Sequence, residues 1–276
     1  MLKTIVFNGG LGNQMFQYAF YLGLKENHPL SLFLFDIEQS QGNHFGYELD
    51  KVFQIDSLKQ ARGYRRLKRY VPWLEKHFCT IRQEHSLEFN PQVLSPRRPF
   101  VRYEGFWQSE KFFLSVEPHV RMAFSFREDG LNNPTREMAH LAKTTNSISV
   151  HVRRGDYLQL SESFGLCSLD YYEKAIAYFQ EHVFNPRFLF FSDDIEWVKE
   201  HLKCDNARFV SWNTGEDSWQ DLYLMSQCRH HIIANSSFSW WGAWLNPSVE
   251  KIVIAPKRWF NYIPNYDVLP EKWIKL

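Results

Sequence analysis

The sequence predicts an α/β protein with two Rossmann-like domains, and three observations support this fold class. The chain opens with an apolar strand, a glycine-rich turn, a helix and a second strand within its first 36 residues. From Ile148 onward, five apolar segments of strand length alternate with four segments of helical period. The 276 residues are enough for two cores, and the polar segment 143–146 predicts a domain boundary near residue 146.

The N-terminal domain, residues 1–146, is predicted to begin with strand, helix and strand at Thr4–Phe7, Gly12–Lys25 and Leu32–Phe35. Its middle third is less regular, with helical stretches at Leu58–Tyr70 and Glu110–Met122 and a strand at Val101–Tyr103. In the C-terminal domain, residues 147–276, we expect strands near residues 148–152, 187–191, 207–210, 231–234 and 252–255. Helices near residues 169–182, 194–202, 217–227 and 237–245 separate them, as in a doubly wound parallel sheet.

The composition excludes several functional classes. With 32 Lys+Arg, 31 Asp+Glu and a pI near 7.7, the chain lacks the strongly basic character of general nucleic-acid binders. No apolar run approaches the roughly 18 residues of a membrane span, and the N-terminus does not resemble a signal peptide. The four cysteines are far apart, which is typical of reduced thiols in a cytoplasmic protein.

Positive charge is concentrated between Lys59 and Arg102. This segment contains eleven basic and three acidic residues, so its net charge is +8 and the rest of the chain is acidic. The pattern fits a solvated helix face, and it also fits contact with an anionic membrane surface or an acidic acceptor.

The first candidate site is the glycine turn Asn8–Gln14. Backbone amides in such a turn approach a ligand closely, and the helix N-terminus that follows favours an anion. The turn is a poor dinucleotide fingerprint, because Met15 stands where a third glycine is needed. It is either a structural turn or a ligand site, in which case the candidate residues are Gly10, Gly12, Asn13 and Gln14.

The second candidate site follows the first strand of the C-terminal domain, in Ser149–Tyr157. Ligands bind beyond the carboxyl ends of strands in open α/β sheets. The residues expected there are His151, Arg153, Arg154 and Asp156. Two adjacent arginines are costly to bury without an anion, and diphosphate is the obvious partner. Alternatively, one arginine pairs with Asp156 and the other is solvated.

Two further strand ends carry polar residues. Asp193 and Asp194 either cap the next helix or supply a carboxylate that accepts the N1–H and the exocyclic amine of guanine, and they lack a convincing metal-ligand set. After the strand near 231–234, hydroxyls at a helix start can donate to phosphate with the amides there. The candidates in this turn are Asn235, Ser236, Ser237, Phe238 and Ser239. The tryptophans that follow are either all core, or one of them forms the wall of a sugar subsite.

A fifth segment, Tyr103–Gln108, combines the carboxylate of Glu104 with aromatic and amide groups that suit sugar recognition. Together the five segments resemble the bacterial α-1,2-fucosyltransferases of glycosyltransferase family 11. The matching stretches occur in order over essentially the whole chain, and they are Gly9–Gln14, Glu104–Glu110, His151–Tyr157, Phe191–Asp194 and Asn235–Trp244.

This resemblance implies a GT-B-like fold, in which two Rossmann-like domains face a cleft. It implies an inverting galactoside 2-α-L-fucosyltransferase that uses GDP-L-fucose, with an N-terminal acceptor-side domain and a C-terminal donor domain. The expected acceptor is the 2-hydroxyl of a terminal β-galactoside in a bacterial oligosaccharide or lipid-linked glycan such as an O-antigen. No nucleic acid, cofactor or metal is expected.

The resemblance also implies residue roles. His151 would contact the nucleotide, Arg153 and Arg154 the diphosphate, and Asp193 or Asp194 the guanine. Ser236, Ser237 and Ser239 would line the phosphate pocket. Two arginines and a helix N-terminus can stabilise departing GDP without a metal.

The residues leave some points open. The base that deprotonates the acceptor is either Asp156 or Glu104, with Asp156 ranked first, or a phosphate oxygen of GDP takes the proton. Alternative functions are a transferase with another linkage or GDP-sugar, a non-catalytic lectin and, less favoured, a nicotinamide dehydrogenase. The expected location is the cytoplasm, either free or peripherally bound at the inner face of the inner membrane.

Overall fold

The structure is a computed structural model that describes residues 1–38, 46–55, 58–83, 87–155, 165–261 and 267–276. The chain divides into two compact units. Unit 1 contains Met1–Arg127 together with Asp267 and Val268, and unit 2 contains the other described residues from Glu128 onward. The prediction of two domains is therefore confirmed, although the units divide at residues 127 and 128 rather than near residue 146.

Unit 1 is built around a parallel four-stranded sheet. In chain order its elements are β1 (Leu2–Phe7), α1 (Leu11–Asn27), β2 (Leu32–Ile37), α2 (Leu49–Val52), α3 (Leu58–Tyr70), β3 (Cys79–Arg82), β4 (Phe100–Glu104) and α4 (Glu117–Ala123). The strand order is β2-β1-β4-β3, and β1 is buried along its whole length. The order reverses between β1 and β4, so their carboxyl ends form a topological switch point.

Helix α1 packs very closely against its neighbours in unit 1. Phe20 stacks on Trp107, with ring centroids 4.2 Å apart. Gly23, almost one turn further along, lies against the backbone of Phe112. A Cβ added at Gly23 would lie 2.1 Å from the Phe112 carbonyl oxygen, so this approach requires glycine.

A segment from near the end of the sequence completes unit 1. The Asp267 carboxylate accepts a hydrogen bond from the backbone N–H of Phe89 at 2.7 Å. Its other oxygen lies 2.5 Å from Lys111 Nζ. Asp267 and Val268, which lie between two parts of unit 2 in the sequence, therefore belong to unit 1.

Unit 2 contains a parallel six-stranded sheet. Its elements are α5 (Asn133–Thr144), β5 (Ser147–Val152), α6 (Leu169–His182), β6 (Arg187–Ser192), α7 (Ile195–His201), β7 (Ala207–Val210), α8 (Trp219–Gln227), β8 (His230–Ile232), α9 (Ser237–Leu245), β9 (Val253–Ala255) and β10 (Ile274–Lys275). The strand order is β10-β9-β8-β5-β6-β7, which reverses between β5 and β8. Neither these helices nor any other in the described chain is both long and apolar enough to cross a membrane.

Helix α5 explains why the units divide earlier than predicted. It packs against α8 of unit 2. Its cap residue Asn132 accepts the Thr135 N–H at 2.9 Å, and the Asn132 amide donates to Asn213 at 2.9 Å. The polar segment 143–146 therefore spans the end of α5 and its link to β5, inside unit 2.

The strands and helices predicted for the C-terminal domain are confirmed to within two residues at each end. The continuous helix predicted at Glu110–Met122 is wrong. Single turns of 3-10 helix at Glu110–Phe112 and Leu114–Val116 precede α4. Pro118 is tolerated in the first turn of α4, but it cannot donate a backbone hydrogen bond to a preceding turn. Four elements, α2, β3, α5 and β10, were not predicted.

Candidate active site

The candidate site of unit 2 lies at the carboxyl ends of β5 and β8. These strands are neighbours, with Val150 of β5 opposite Ile232 of β8. His151 and Arg153 lie at the end of β5, and Ser236 leads from β8 into α9. The second and fourth sequence motifs therefore meet at the reversal of strand order, where doubly wound sheets bind ligands.

Each arginine of the second motif pairs with a carboxylate that follows β6. Arg153 Nη1 lies 3.2 Å from Asp193 Oδ2, and Arg154 Nε lies 3.4 Å from Asp194 Oδ2. The backbone N–H of Arg154 also donates to Asp193 Oδ1 at 2.9 Å. The alternative pairing with Asp156 lies outside the described residues. The ion pairs that the structure describes join the second and third motifs.

Arg154 is held on two sides. Its guanidinium carbon lies 3.8 Å from the centroid of the Trp197 ring. Asp194, which pairs with Arg154, also caps α7 by accepting the Trp197 N–H at 3.3 Å. The helix-capping role considered for Asp194 is therefore confirmed. Because stacking and pairing fix the guanidinium in advance, its contact with an anion costs less conformational entropy.

Both carboxylates after β6 therefore already accept bonds from arginine. Contact of Asp193 or Asp194 with guanine stays a prediction, and it would have to share these oxygens. In the described part of the chain, no group of three or more His, Cys, Asp or Glu side chains is arranged to hold a metal ion.

His151 is a buried, neutral imidazole. Burial, with a smaller effect from the charge of Arg153, lowers its pKa to about 3. Its ring centroid lies 6.0 Å from that of Phe238, near the start of α9. Its Nδ1 is buried and has no hydrogen-bond partner among the described residues. An unsatisfied polar atom at a switch point suits a ligand contact, whereas a pKa of about 3 does not suit a general base at neutral pH.

Helix α9 begins without a side-chain cap. Ser236 is the N-cap residue, but its hydroxyl makes no capping bond, and the first turn contains no acidic residue. The amides at such a terminus attract anions, which agrees with the phosphate contacts expected of Ser236 and Ser237. The Ser239 hydroxyl is buried and donates to the carbonyl oxygen of Ser236 at 3.3 Å, so it is less available.

Asn235 stabilises the turn between β8 and α9. Its Nδ2 donates to the carbonyl oxygens of Gly165 and Trp259 at 2.7 and 3.1 Å. Both amide hydrogens of Asn235 therefore bind backbone carbonyl oxygens. No N–H of this side chain is left to donate in the ligand contact that the sequence predicted. Residues 235–237, Asn-Ser-Ser, also match an N-glycosylation motif, but Asn235 is 3% exposed and is not accessible as an acceptor in this fold.

The three tryptophans of α9 belong to the core. Trp240 and Trp241 are fully buried, and Trp244 is 3% exposed. Their ring centroids lie 4.9 to 6.1 Å apart, so they pack on one another. The alternative in which one of them forms the wall of a sugar subsite is wrong.

In unit 1, the glycine turn meets the fifth motif at the carboxyl ends of β1 and β4. Gln108 Nε2 donates to Asn13 Oδ1 at 2.8 Å. Gln17 of α1 donates to the Gly105 carbonyl oxygen at 3.1 Å and to Asn8 Oδ1 at 2.9 Å. The sequence does not single out Gln17. Nothing in its spacing distinguishes a glutamine that hydrogen-bonds the turn from one that lies on the helix surface.

Gln14 also braces this turn. Its Nε2 donates to the carbonyl oxygens of Gly9 and Gly46 at 2.9 and 2.7 Å, and its Oε1 accepts the Glu48 N–H. Both amide hydrogens are used, so the ligand contact predicted for Gln14 has no side-chain donor. Gly10 is the N-cap of α1 and no side chain caps the helix there, which leaves the predicted anion-favouring terminus in place.

Glu104 lies between two arginines. It accepts hydrogen bonds from Arg82 Nε and Arg102 Nε, each at 2.6 Å. Burial raises its pKa, but the hydrogen bonds from Arg102 and Arg82 outweigh that effect and the pKa is lowered. A carboxylate stabilised in this way is a weak proton acceptor, so its geometry does not favour the general-base role.

The structure also reveals a partly buried carboxyl that sequence reasoning missed. Asp221 of α8 accepts a hydrogen bond from Asn213 Nδ2 at 2.8 Å. Burial raises the pKa of Asp221 to about 7, and the bond from Asn213 lowers it by a smaller amount. This carboxyl is therefore about half protonated at neutral pH in the folded protein.

The stability of the protein should depend on the titration of Asp221. Its folded-state pKa lies above the ordinary value of 3.8, so only the folded chain holds this proton between those values. The free energy of unfolding should therefore fall as pH rises from about 4 to about 7. Asp221→Asn removes this penalty, and at pH 8 it should be more stable than the wild type by up to about 4 kcal/mol.

Urea unfolding at pH 5 and pH 8 measures this effect. Asp170→Asn, which changes an exposed carboxylate on α6, is the matched control and should keep the wild-type pH dependence. Identical pH profiles for the wild type and Asp221→Asn would contradict the raised pKa.

The sequence matches glycosyl transferase family 11 over residues 1–273. The chain belongs to this family. An alpha-1,2-colitosyltransferase from Escherichia coli is 35% identical over 285 residues, which cover 97% of this chain and 96% of the relative. The O-antigen biosynthesis glycosyltransferase WbnK from Escherichia coli is 30% identical over 299 residues and 98% of each chain. The resemblance that the five motifs indicated is therefore confirmed.

Solved structures agree with the fold of this family 11 chain. The fucosyltransferase NodZ from Bradyrhizobium superposes with a TM-score of 0.53 at 12% identity, over 88% of this chain and 91% of NodZ. A variant of FUT1 from Arabidopsis thaliana, in complex with GDP, gives a TM-score of 0.51 at 12% identity, over 98% of this chain and 72% of FUT1. The predicted GT-B-like fold class is confirmed.

Proposed function

We propose that this family 11 glycosyltransferase moves L-fucose from GDP-L-fucose to the 2-hydroxyl of a terminal β-galactoside in an O-antigen or similar bacterial glycan. The observation that carries this proposal is the meeting of Arg153, His151 and the uncapped N-terminus of α9 at the β5–β8 switch point. A guanidinium, a buried imidazole and helix amides suit the diphosphate and nucleoside of a sugar donor. The GDP bound to FUT1, which shares the fold, supports the same class of nucleotide.

The geometry suggests how the donor bond breaks. The acceptor oxygen attacks the anomeric carbon from the face opposite the diphosphate, so the configuration inverts. As the bond to the diphosphate breaks, negative charge grows on the leaving oxygen. Arg153 and Arg154 and the amides of α9 compensate this charge without a metal ion. Asp193 and Asp194 act as positioning residues, because they orient the arginines.

The acceptor hydroxyl must also lose its proton. Neither His151, with a pKa of about 3, nor Glu104, with its lowered pKa, suits this task. Asp156, outside the described residues, stays the first candidate. A phosphate oxygen of the departing GDP is the alternative acceptor.

A second donor follows from the relative that is 35% identical. That relative transfers colitose, which is L-fucose without its 3-hydroxyl. A donor pocket that hydrogen-bonds the 3-hydroxyl should reject GDP-colitose by about 10⁴-fold, because its buried polar groups would be left unpaired. An apolar pocket at that position should discriminate by only about 10²-fold.

One transfer assay tests the proposal. The purified chain is incubated with GDP-fucose or GDP-colitose and a panel of β-galactosides in excess EDTA, and the product linkage is determined by NMR. We expect an α-1,2-linked fucoside, little loss of rate in EDTA, and a larger loss of kcat for Asp156→Asn than for Glu104→Gln. If the chain transfers colitose faster than fucose, its donor is GDP-colitose.

Three outcomes would contradict parts of this proposal. If GDP fails to raise the melting temperature and no sugar is transferred, the GDP-sugar transferase assignment is wrong, and binding of the galactosides alone would make the protein a lectin. Complete loss of activity in EDTA, restored only by Mn²⁺ or Mg²⁺, would overturn the metal-free stabilisation. A product with another linkage would show that the acceptor is not the 2-hydroxyl.

A further inference from the structure

Unit 1 carries a groove at the amino ends of β1 and β2, the sheet edge opposite the glycine turn. The groove encloses about 600 Å³ and lies between α1, β2 and α3. Leu2, Leu34 and Leu67 form its apolar floor and belong to the same packed cluster. None of the proposed donor residues lines it.

The rim of this groove is cationic. Lys25, Lys59, Arg62 and Arg66 line it and are exposed, and none of the described lining residues is acidic. Beside these cations, Leu30 is 97% exposed and Leu32 is 61% exposed. The groove therefore combines an apolar floor, an apolar edge and a positively charged rim.

Helix α3 extends this surface beyond the groove. It contains six basic residues and no acidic residue. Glu75 lies 3.8 Å from one of these, Lys68, which neutralises part of the charge. Tyr70, the last residue of the helix, is 71% exposed, and Trp73, just after it, is 60% exposed. Tyrosine and tryptophan are the side chains that favour the boundary between water and bilayer.

We propose that this surface, the groove together with the exposed face of α3, docks on an anionic phospholipid bilayer. Lipid phosphates would meet the cationic rim, and the acyl region would cover Leu30, Leu32 and Trp73. A solvated helix face explains the charges but not the apolar side chains beside them. A nucleic acid would satisfy the cations and leave the leucines in water. An anionic bilayer offers both chemistries to one surface.

Vesicle binding tests this proposal without any sugar transfer, so its failure is independent of the donor assignment. The full chain is sedimented with vesicles of phosphatidylcholine alone or with added phosphatidylglycerol, at low and high salt. We expect binding only to the anionic vesicles, weakened steeply by salt, since charges are screened over about 10 Å at 0.1 M.

Variants locate the surface. Reversal of two rim charges, in Arg62→Glu with Arg66→Glu, should lower the apparent affinity at least about tenfold. Leu30→Ser combined with Trp73→Ser should lower it without changing the net charge. Arg208→Glu, which changes an exposed arginine on β7 of unit 2, should have little effect. Unchanged melting temperatures confirm that the variants are folded.

Several results would overturn the proposal. These are no binding to anionic vesicles at low salt, equal binding to neutral vesicles, and an affinity that does not respond to the groove variants. Binding of polyuridylic acid with the same dependence on Arg62 and Arg66, in the absence of vesicle binding, would make the surface a nucleic-acid site instead.

Discussion

Arg153→Ala is expected to lower kcat/KM for the nucleotide-sugar donor about a hundredfold. The change removes a charge-assisted contact to the leaving diphosphate, worth about 3 kcal/mol in the transition state. Arg154→Ala should act in the same direction, and at least one of the two arginines should be essential. Of the two, Arg153 lies close enough to His151 to lower its pKa, so we expect it to face the same ligand.

Initial rates at varied donor concentration measure this effect, and calorimetry with GDP separates binding from transfer. Arg208→Ala is a control for the loss of one positive charge from unit 2, and it should keep the wild-type kcat/KM. If Arg153→Ala and Arg154→Ala both retain near-normal kcat/KM, the diphosphate role of these residues is wrong.

Gly23→Ala is expected to destabilise the protein by about 3 kcal/mol, which corresponds to a fall in Tm on the order of 10 °C. In an isolated helix, alanine would be favoured over glycine by about 1 kcal/mol. Here the new Cβ would lie 2.1 Å from the Phe112 carbonyl oxygen. That atom belongs to the backbone, so α1 and the turn at Phe112 must move apart.

Gly63→Ala on α3 is the matched control. A Cβ there would meet only Leu34 Cδ2, at 2.9 Å, and the end of a leucine side chain can rotate away. Thermal unfolding of the two variants should show a large loss for Gly23→Ala and little change for Gly63→Ala. A Tm for Gly23→Ala equal to that of the wild type would show that α1 is free to shift.

The strands of unit 2 were predictable from the sequence because their apolar segments are easy to recognise. Residues Phe188–Phe191 of β6 are four consecutive buried apolar residues, and such segments stand out between helices. In contrast, β3 alternates between partly buried and exposed side chains and contains a threonine and an arginine, so it gives a weak signal. The start of α5 carries a recognisable cap in the sequence, Asn132 followed by Pro134, so this end of the helix is predictable.

The motifs showed where the site lies, but not what each polar residue does there. Asn235 and Gln14 lie in the predicted turns, yet their amide hydrogens stabilise those turns. Spacing alone does not distinguish a ligand contact from an internal hydrogen bond. The pairing of Arg153 with Asp193 could have been inferred, because β5 and β6 are consecutive parallel strands with Val152 opposite Ser192.

The return of Asp267 to unit 1 imposes an order on folding during synthesis. The ribosome completes Arg127, the last residue of the main part of unit 1, long before it reaches Asp267. At roughly 5 to 20 residues per second, the interval is on the order of ten seconds. During that time Lys111 and the Phe89 N–H lack their carboxylate, so the nascent unit 1 can pack its sheet but cannot close this contact. Unit 1 therefore starts to fold first, but it completes its contacts only when the chain is nearly finished.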